Sequence, residues 1–587
     1  MYQKHKFLLW LFILGLAARL LMLAIVNHLP DFNFLDSQGY DRVGWEMARS
    51  WKVGGSYNVA EATSHIQVGY YYFVAGIYYL FGHREIIVGV FNIFFGVFAA
   101  ILLYFLTREL FSEGAAKIAA ALAMFWPSIM LWSTCNLKDA LLLFLMAGIV
   151  LFFVKLVRRF QFVYLAGLMV SAIFLLSMRA YTFLLFTGSL GLGYLLIGFR
   201  RFDRRTIIVG SLVVVLLIVS VIILAQFKNL QWNYLAKINL ETLDFIRKST
   251  VAGGSSFGQD VEYKSIIDVV KFLPTGLVYS IFSPFPWQGG SALFKIAVPE
   301  TILWYFALIF AVWGIIIAWR KKKYEAWGLI LFLILITVSF AVFQGNIGSL
   351  FRQRAQVWFF GFVFAAVGIV EFLNSRNERL KRIFDFLASA AGLILLSPVF
   401  LITSLAILID DGRPIFYLSE RVGKGGRKFK MIKFRTMKVN RQDIKEFEYT
   451  PEDDPRVIKA GKWIRRFSID ELPQIFNILK GEMSLVGPRP TFPFRMENAP
   501  ARWRRLEVNP GLTGWQQING RNSLEWEKIM ELDNWYVNNR SFGLDLKIIF
   551  GTFSTIFTGR GMYASENTYK DAAKSFKEYV EKSEKNL

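Results

Sequence analysis

Cysteine is almost missing from this chain: Cys135 is the single one in 587 residues. One thiol excludes an intrachain disulfide framework, and it lies beside an apolar segment. Charge is also scarce, with Asp, Glu, Lys and Arg making up 19% of residues against 55% hydrophobic ones. That balance is too apolar for an ordinary soluble protein, and the length allows more than one domain. Acidic residues are the scarcer sign, 44 against 67 Lys and Arg, which leaves a formal net charge of +23. No basic helix or aromatic-basic RNA motif accompanies the excess, so nucleic acid is not an expected partner. Cytoplasmic loops held at an anionic lipid surface account for it better. No internal repeat of the kind transporters carry is visible.

What the chain does have is long apolar runs. Up to about Phe372 they follow one another at about 17–21 residues each, enough to cross the hydrocarbon core. Spans are expected at Phe7–Val26, Ile86–Leu106, Lys117–Ser133, Ala140–Leu156, Phe162–Met178, Tyr181–Phe199, Thr206–Ala225, Thr301–Trp319, Ala326–Phe343 and Ala355–Phe372. The first run follows Lys4 and Lys6, is too long for a signal-peptide core and lacks a small-residue cleavage pattern, so it reads as a retained span. A further stretch, Gln67–Gly82, is apolar enough to compete. The basic clusters Lys155/Arg158/Arg159, Arg200/Arg201/Arg204/Arg205 and Arg320–Lys323 fall inside only if that stretch does not cross. It is expected to lie along the outer face instead. The result is about ten spans with both termini inside, and a polytopic membrane part over 1–375. The orientation implies that the C-terminal part, 376–563, faces the cytoplasm, followed by a charged tail, 564–587.

A last apolar run, Ile383–Ile409, is interrupted by Ser397-Pro398. Proline in a helix interior removes a hydrogen bond and clashes with the preceding turn, at about 3 kcal/mol. A full crossing would place the basic segment Arg421–Arg435 outside, so the helix is expected to break at Ser397-Pro398 and return. Downstream, Ser468 and Glu471 in Arg466–Gln474 fit a capping box. The same helix end offers N–H groups and a dipole to an anion, and the adjacent carboxylates Asp470 and Glu471 offer a nucleophile and a metal ligand. Gly487-Pro488-Arg489-Pro490 fixes a backbone around an arginine that suits phosphate oxygens. Lys433-Phe434-Arg435 offers two cations for a pyrophosphate, or else simply a strand face. Asn519-Gly520-Arg521-Asn522 adds a turn with another arginine.

Taken together, Lys381–Asp385, Ser397-Pro398, Glu420–Gly423, Lys433–Met437, Ser468–Gln474, Gly487–Pro490, Pro510–Trp515 and Asp545–Lys547 resemble the bacterial sugar transferases, the monotopic phosphoglycosyl transferases, continuously from about Lys381 to Gly559. The resemblance implies a mainly α protein of the bacterial inner (cytoplasmic) membrane whose re-entrant helix, over 383–409, carries an α/β-type cytoplasmic catalytic domain. It implies that Asp470 attacks a nucleoside diphosphate sugar and passes a phosphosugar to polyprenyl phosphate, initiating a lipid-linked glycan. Glu471 would ligate Mg²⁺ (or Mn²⁺), with Lys433, Arg435, Pro488, Arg489, Pro490 and Arg521 around the phosphates.

In the membrane part, Asp36–Tyr40, the apolar Tyr70–Gly82 stretch and Asp139–Leu142 resemble integral-membrane GT-C type glycosyltransferases. That resemblance implies Asp36 as general base for an acceptor hydroxyl, Asp139 as a second acidic residue, and Arg352 or Arg354 as a holder of lipid phosphate. The alternative is a non-catalytic anchor or a module that binds other glycan-assembly enzymes or a second copy of the chain. The sugar, the nucleotide and the final glycan are not written in any single residue.

Overall fold

The computed structural model describes residues 2–28, 35–59, 68–201, 211, 215, 240–251, 256–285, 287, 292–438, 456–493, 496, 504–520 and 523–558. The chain divides into two compact units, Met1–Val370 and Glu371–Leu587.

The first unit is built of helices. Five, at Lys6–His28, Glu85–Leu110, Asp139–Arg158, Ala297–Arg320 and Tyr324–Phe343, are long and apolar enough to cross a membrane. The chain is a membrane protein. Counting each of two bent helix pairs as one span brings the total to seven among the described residues, short of the ten expected. The shortfall has local causes. Lys117–Ser133, expected as one span, is two short helices, Glu113–Phe125 and Pro127–Trp132, because Pro127 cannot continue the first. Ala355–Phe372 is likewise split, between Ile347–Trp358 and Gly361–Leu373, with a bend of 63°. The expected span Thr206–Ala225 lies almost wholly outside the described residues.

The disputed stretch Gln67–Gly82 contains a helix, Gly69–Phe81, of 13 residues. At 1.5 Å per residue it reaches about 20 Å, too short to cross a core of about 30 Å. It packs instead on the helix Leu35–Lys52, with the rings of Tyr40 and Tyr70 edge-on at 4.7 Å. Gly44 is required there, since a Cβ would fall 2.6 Å from Val74 Cγ1. Asp139 at one end of Asp139–Arg158 and Lys155 and Arg158 at the other match the helix dipole.

The second unit begins with Glu378–Leu395 and Ser397–Asp411, bent by 60° about Leu396. The break explains the Ser-Pro pair. Pro398 has no N–H to give Ile394 O, four residues back; that carbonyl accepts instead from Ser397 Oγ at 2.8 Å and from Leu396 N. Near the bend Ile394, Leu395, Leu401 and Ile402 are all exposed, an apolar surface that water does not favour.

Below the helices, β1 (Phe416–Val422) pairs antiparallel with β2 (Lys428–Phe434), with Phe416 opposite Phe434. β3 (Ser484–Val486) pairs parallel with β4 (Gly511–Thr513). Ile407 of the second helical limb buries against Phe434, Ile458 and Ile464. Phe429, Met431, Ile478 and Met483 form a neighbouring core. Each such side chain contributes about 1.5–3 kcal/mol on burial. The first limb is tied down by polar contacts. Asp385 accepts from Ser484 Oγ at 2.7 Å and Leu485 N at 3.2 Å. Lys381 Nζ meets Asp545 at 2.5 Å, and the Tyr536 hydroxyl donates to Asp545 at 2.7 Å.

Candidate active site

Three separate segments bring charge to one place in the second unit. β2 delivers Lys433 near its end. The short helix Lys459–Arg466 is stopped by Ser468, whose φ of 57° is left-handed, a conformation uncommon outside glycine. That reversal leads into a single 3₁₀ turn, Ile469–Glu471, which carries both carboxylates. The loop after β3 delivers Arg489. Its backbone is pinned on both sides: Gly487 N donates to Thr513 O and Gly511 N donates to Pro488 O, each at 2.9 Å. A Cβ at Gly487 would fall 2.3 Å from Asn509 O, so only glycine allows this approach. Arg505 also donates to Arg489 O. Pro488 and Pro490 thus flank an arginine whose own backbone is held.

The two carboxylates are held differently. Glu471 Oε1 accepts from Lys433 Nζ at 2.9 Å and from Arg489 Nη2 at 2.8 Å. Asp470 Oδ2 lies 3.9 Å from the same Lys433 Nζ. Burial pushes the Asp470 carboxyl above the usual range; Lys433, Arg465 and Arg489 pull it back, and Glu471 pushes it up further. The site therefore holds one pinned carboxylate and one that costs more to ionise.

Three sequence expectations change, and a fourth falls outside the described residues. Ser468 and Glu471 do not form a capping box: the Ser468 side chain makes no cap hydrogen bond, and Glu471 is occupied by two cations. The helix that follows, Gln474–Lys480, starts only after Pro473, so the helix end expected at Ser468 does not lie at the two carboxylates. Arg435 is not beside the carboxylates' cations. It is buried and fully engaged in closing the bottom of the helical limb, donating to the Asp411 carboxylate, to Gly412 O at 2.7 Å and to Pro414 O at 2.6 Å. Arg521 lies outside the described residues. Arg465, one turn before the carboxylates, was not singled out in the sequence; its signal was the basic end of a helix leading straight into Asp470.

In the first unit the geometry assembles three of the four candidate residues. Arg352 Nη1 donates to Asp36 at 2.8 Å, and its Nη2 and Nε donate to Asp139 at 2.5 and 3.1 Å. Asp139 is buried while the Asp36 side chain is 60% exposed. Arg354 does not join them. It turns to the opposite side, donating to Ile281 O at 3.1 Å and to Ser283 O, with its guanidinium over Trp304.

Residues 376–559 match the bacterial sugar transferase family model. Over 187 residues the chain is 46% identical to the uncharacterized sugar transferase EpsL of Bacillus subtilis, covering 31% of this chain and 90% of that one. The chain belongs to the bacterial sugar transferase family. The exopolysaccharide production protein ExoY of Rhizobium meliloti is 39% identical over 198 residues, 31% of this chain and 88% of its own. The undecaprenyl-phosphate glucose phosphotransferase of Komagataeibacter xylinus is 41% identical over 200 residues, 31% of this chain, which spans only 37% of that protein's length. Beyond the sugar transferase region, residues 68–224 match the dolichyl-phosphate-mannose-protein mannosyltransferase family model. The apo oligosaccharyltransferase of Archaeoglobus fulgidus aligns over 66% of this chain and 52% of its own, at 15% identity and a TM-score of 0.39.

Proposed function

We propose that the second unit moves a sugar-1-phosphate from a nucleoside diphosphate sugar onto a polyprenyl phosphate such as undecaprenyl phosphate, initiating a bacterial lipid-linked glycan. The observation that carries this reading is the unequal holding of adjacent carboxylates, Glu471 between Lys433 and Arg489 and Asp470 an ångström further from Lys433. A carboxylate drawn fully into ion pairs is a poor nucleophile; the less engaged neighbour is the better one.

In the first step an Asp470 oxygen bonds to the sugar-bearing phosphorus. The bond from that phosphorus to the bridging oxygen breaks, and nucleoside monophosphate leaves with the electron pair. In the second, an oxygen of polyprenyl phosphate attacks the same phosphorus, and the Asp470 carboxylate departs unchanged. Arg489 and Lys433 balance the negative charge of the diphosphate. Their bonds to Glu471 fix where they stand before substrate arrives.

A divalent metal suits the donor set, since Mg²⁺ is commonly held by one or two carboxylates with substrate phosphate oxygens completing its shell. Among the described residues no cluster of three His, Cys, Asp or Glu side chains forms a dedicated cage. Glu471, with Asp470 beside it, is the residue that would hold Mg²⁺ or Mn²⁺, and the ion would supply charge neutralisation at the diphosphate.

The exposed apolar bend at Leu396 supports a re-entrant helix that keeps this unit on the cytoplasmic side of the inner membrane. Asp36, with Asp139 and Arg352, supports a second, lipid-sugar-dependent glycosyl transfer at the outer face, with Asp36 as base. The test is nucleotide release from a panel of UDP-, GDP- and CDP-sugars with short polyprenyl phosphates in a reconstituted bilayer. Release that needs Asp470, together with a labelled phosphosugar trapped on a peptide containing it, is the expected result. Turnover unaffected by Asp470→Asn refutes the covalent route.

A further inference from the structure

Asn477 lies on the helix Gln474–Lys480, shortly after Glu471, and is fully buried. Its side-chain amide has both N–H donors and its oxygen engaged. Nδ2 donates to Lys430 O at 2.8 Å and to Glu482 Oε2 at 2.7 Å, while Oδ1 accepts from Ile432 N at 3.0 Å. Lys430 O and Ile432 N point to one edge of β2, the edge away from β1 in a sheet of only these two strands. The amide thus stands on that edge where the peptide group of a further strand would stand, and it satisfies groups that burial would otherwise leave costly.

Its backbone carbonyl holds another segment. Glu482 N and Met483 N donate to Asn477 O at 3.0 and 3.3 Å, and the chain turns through Gly481, left-handed at φ 89°, to enter β3. Toward the carboxylates the chain runs in unbroken turns, with Leu472 N donating to Ile469 O at 3.1 Å and Ile475 N to Leu472 O at 3.0 Å. Little slack therefore separates Asn477 from the turn Ile469–Glu471. On the other side, Lys433 directly follows Ile432. One residue ties together the strand that carries Lys433, the turn that carries Asp470 and Glu471, and the strand that leads to Arg489.

We propose that Asn477 is a positioning residue for the phosphosugar transfer, one that fixes where Lys433 stands relative to Asp470 and Glu471. The inference rests on Asp470 being the attacking carboxylate. Lys433 Nζ is 2.9 Å from Glu471 and 3.9 Å from Asp470, so a strand free to shift by an ångström would erase the distinction between them. The pull of a cation on a carboxylate weakens as the two separate. With β2 released from Asn477, Lys433 draws less on Asp470, which then ionises only at higher pH. Asn477 touches no reacting atom; it acts through Lys433.

The test compares the full chain in nanodiscs as wild type, Asn477→Ala, Lys433→Gln and the double variant. Nucleotide release is followed across pH with whichever UDP-, GDP- or CDP-sugar the wild type turns over with a short polyprenyl phosphate. A substrate-free readout runs beside it: the pH at which Asp470 stops reacting with a water-soluble carbodiimide, which takes the protonated carboxyl, assigned by peptide mass spectrometry. Asn477→Ala is expected to lower kcat/KM about tenfold and to move both readings to higher pH, the direction of Lys433→Gln. In the Lys433→Gln background it is expected to move neither reading further. Lower thermal stability with both readings unmoved means that Asn477 only holds the fold, and overturns the proposal. An equal shift in both backgrounds overturns action through Lys433. Should Asn477→Ala not fold, Asn477→Ser, which keeps a polar group in the pocket, is read in the same way. Turnover that survives Asp470→Asn, measured alongside, overturns the underlying reading of Asp470 instead.

Discussion

Lys433 Nζ stands 2.9 Å from Glu471 Oε1 but 3.9 Å from Asp470 Oδ2, so one lysine serves two adjacent carboxylates unequally. On the proposed mechanism this difference divides the work between them. Asp470→Asn is expected to abolish nucleotide release, because an amide oxygen does not form the acyl phosphate. Glu471→Gln is expected to retain a trace that rises with added Mg²⁺ and falls with chelator. Nucleotide release at graded Mg²⁺ distinguishes the two variants, and identical losses with no metal response argue against separate roles.

The same pair predicts a pH dependence. The proposed attack requires ionised Asp470, and burial raises its carboxyl above the ordinary value, near 4. A raised group gains its charge only at higher pH, so the acidic limb of kcat/KM is expected above that ordinary position. Glu471 adds to the rise, so Glu471→Gln should move the limb to lower pH. Lys433 opposes it, so Lys433→Gln should move the limb to higher pH. A pH profile of nucleotide release reads all three, and shifts of the opposite sign contradict the electrostatic account.

Arg489 reaches Glu471 with two nitrogens, at 2.8 and 3.5 Å, from a loop whose backbone is pinned. Arg489→Lys keeps the charge but loses the fork. Truncating one member of a hydrogen-bonded charge pair costs about 2–5 kcal/mol, so Arg489→Ala is expected to lower kcat/KM by at least tenfold, with Arg489→Lys between it and wild type. Near wild-type kinetics in both variants would remove Arg489 from the site.

Arg435 was legible in the sequence only as one more cation beside Lys433; its burial and four of its five backbone and carboxylate acceptors depend on Asp411, Gly412 and Pro414 arriving from the preceding limb. Adjacent positions on a strand point to opposite faces, which is why Lys433 and Arg435, two apart, were read together. The chain leaves β2 at Phe434, and the pairing fails there. Asp470, Glu471 and Arg489 were legible because they sit in short motifs rich in proline and acidic residues. The gathering of Asp36, Asp139 and Arg352 depends on packing across 213 and 316 positions, which no local pattern encodes. Helix lengths were legible as apolar runs, but breaks such as Trp126-Pro127 required weighing one proline against an otherwise continuous run.

From that difference, Arg435→Gln is expected to act on folding rather than on substrate. Removing one partner of a buried pair costs about 3–5 kcal/mol. The variant should therefore lose thermal stability in detergent or nanodiscs, while its surviving folded fraction keeps the KM for nucleotide-sugar. A raised KM with unchanged thermal stability would return Arg435 to the substrate.

The bend at Leu396 gives the last expectation. Pro398 lacks the N–H that Ile394 O would accept, and Ser397 Oγ, at 2.8 Å, fills that need. The pair therefore makes a break that leaves no carbonyl stranded in an apolar setting, where an unmet group costs several kcal/mol. Ser397→Ala alone removes the hydroxyl donor and leaves Leu396 N on that carbonyl, so the bend is expected to persist with slightly lower stability. Replacing both residues with Leu restores the helix N–H and removes the ring clash, so Ile383–Ile409 becomes an uninterrupted apolar segment long enough to cross. Against crossing stand the basic residues of Arg421–Arg435, which resist translocation. A mixed population is therefore expected, part of it with residues beyond Glu420 on the outer side. Labelling of single cysteines placed after Glu420, in a Cys135→Ser background, measures the two fractions in intact cells. Outside labelling of the parent chain refutes the re-entrant arrangement. A double Leu variant that stays wholly inside shows that the basic residues, not the break, hold this unit at the cytoplasmic face.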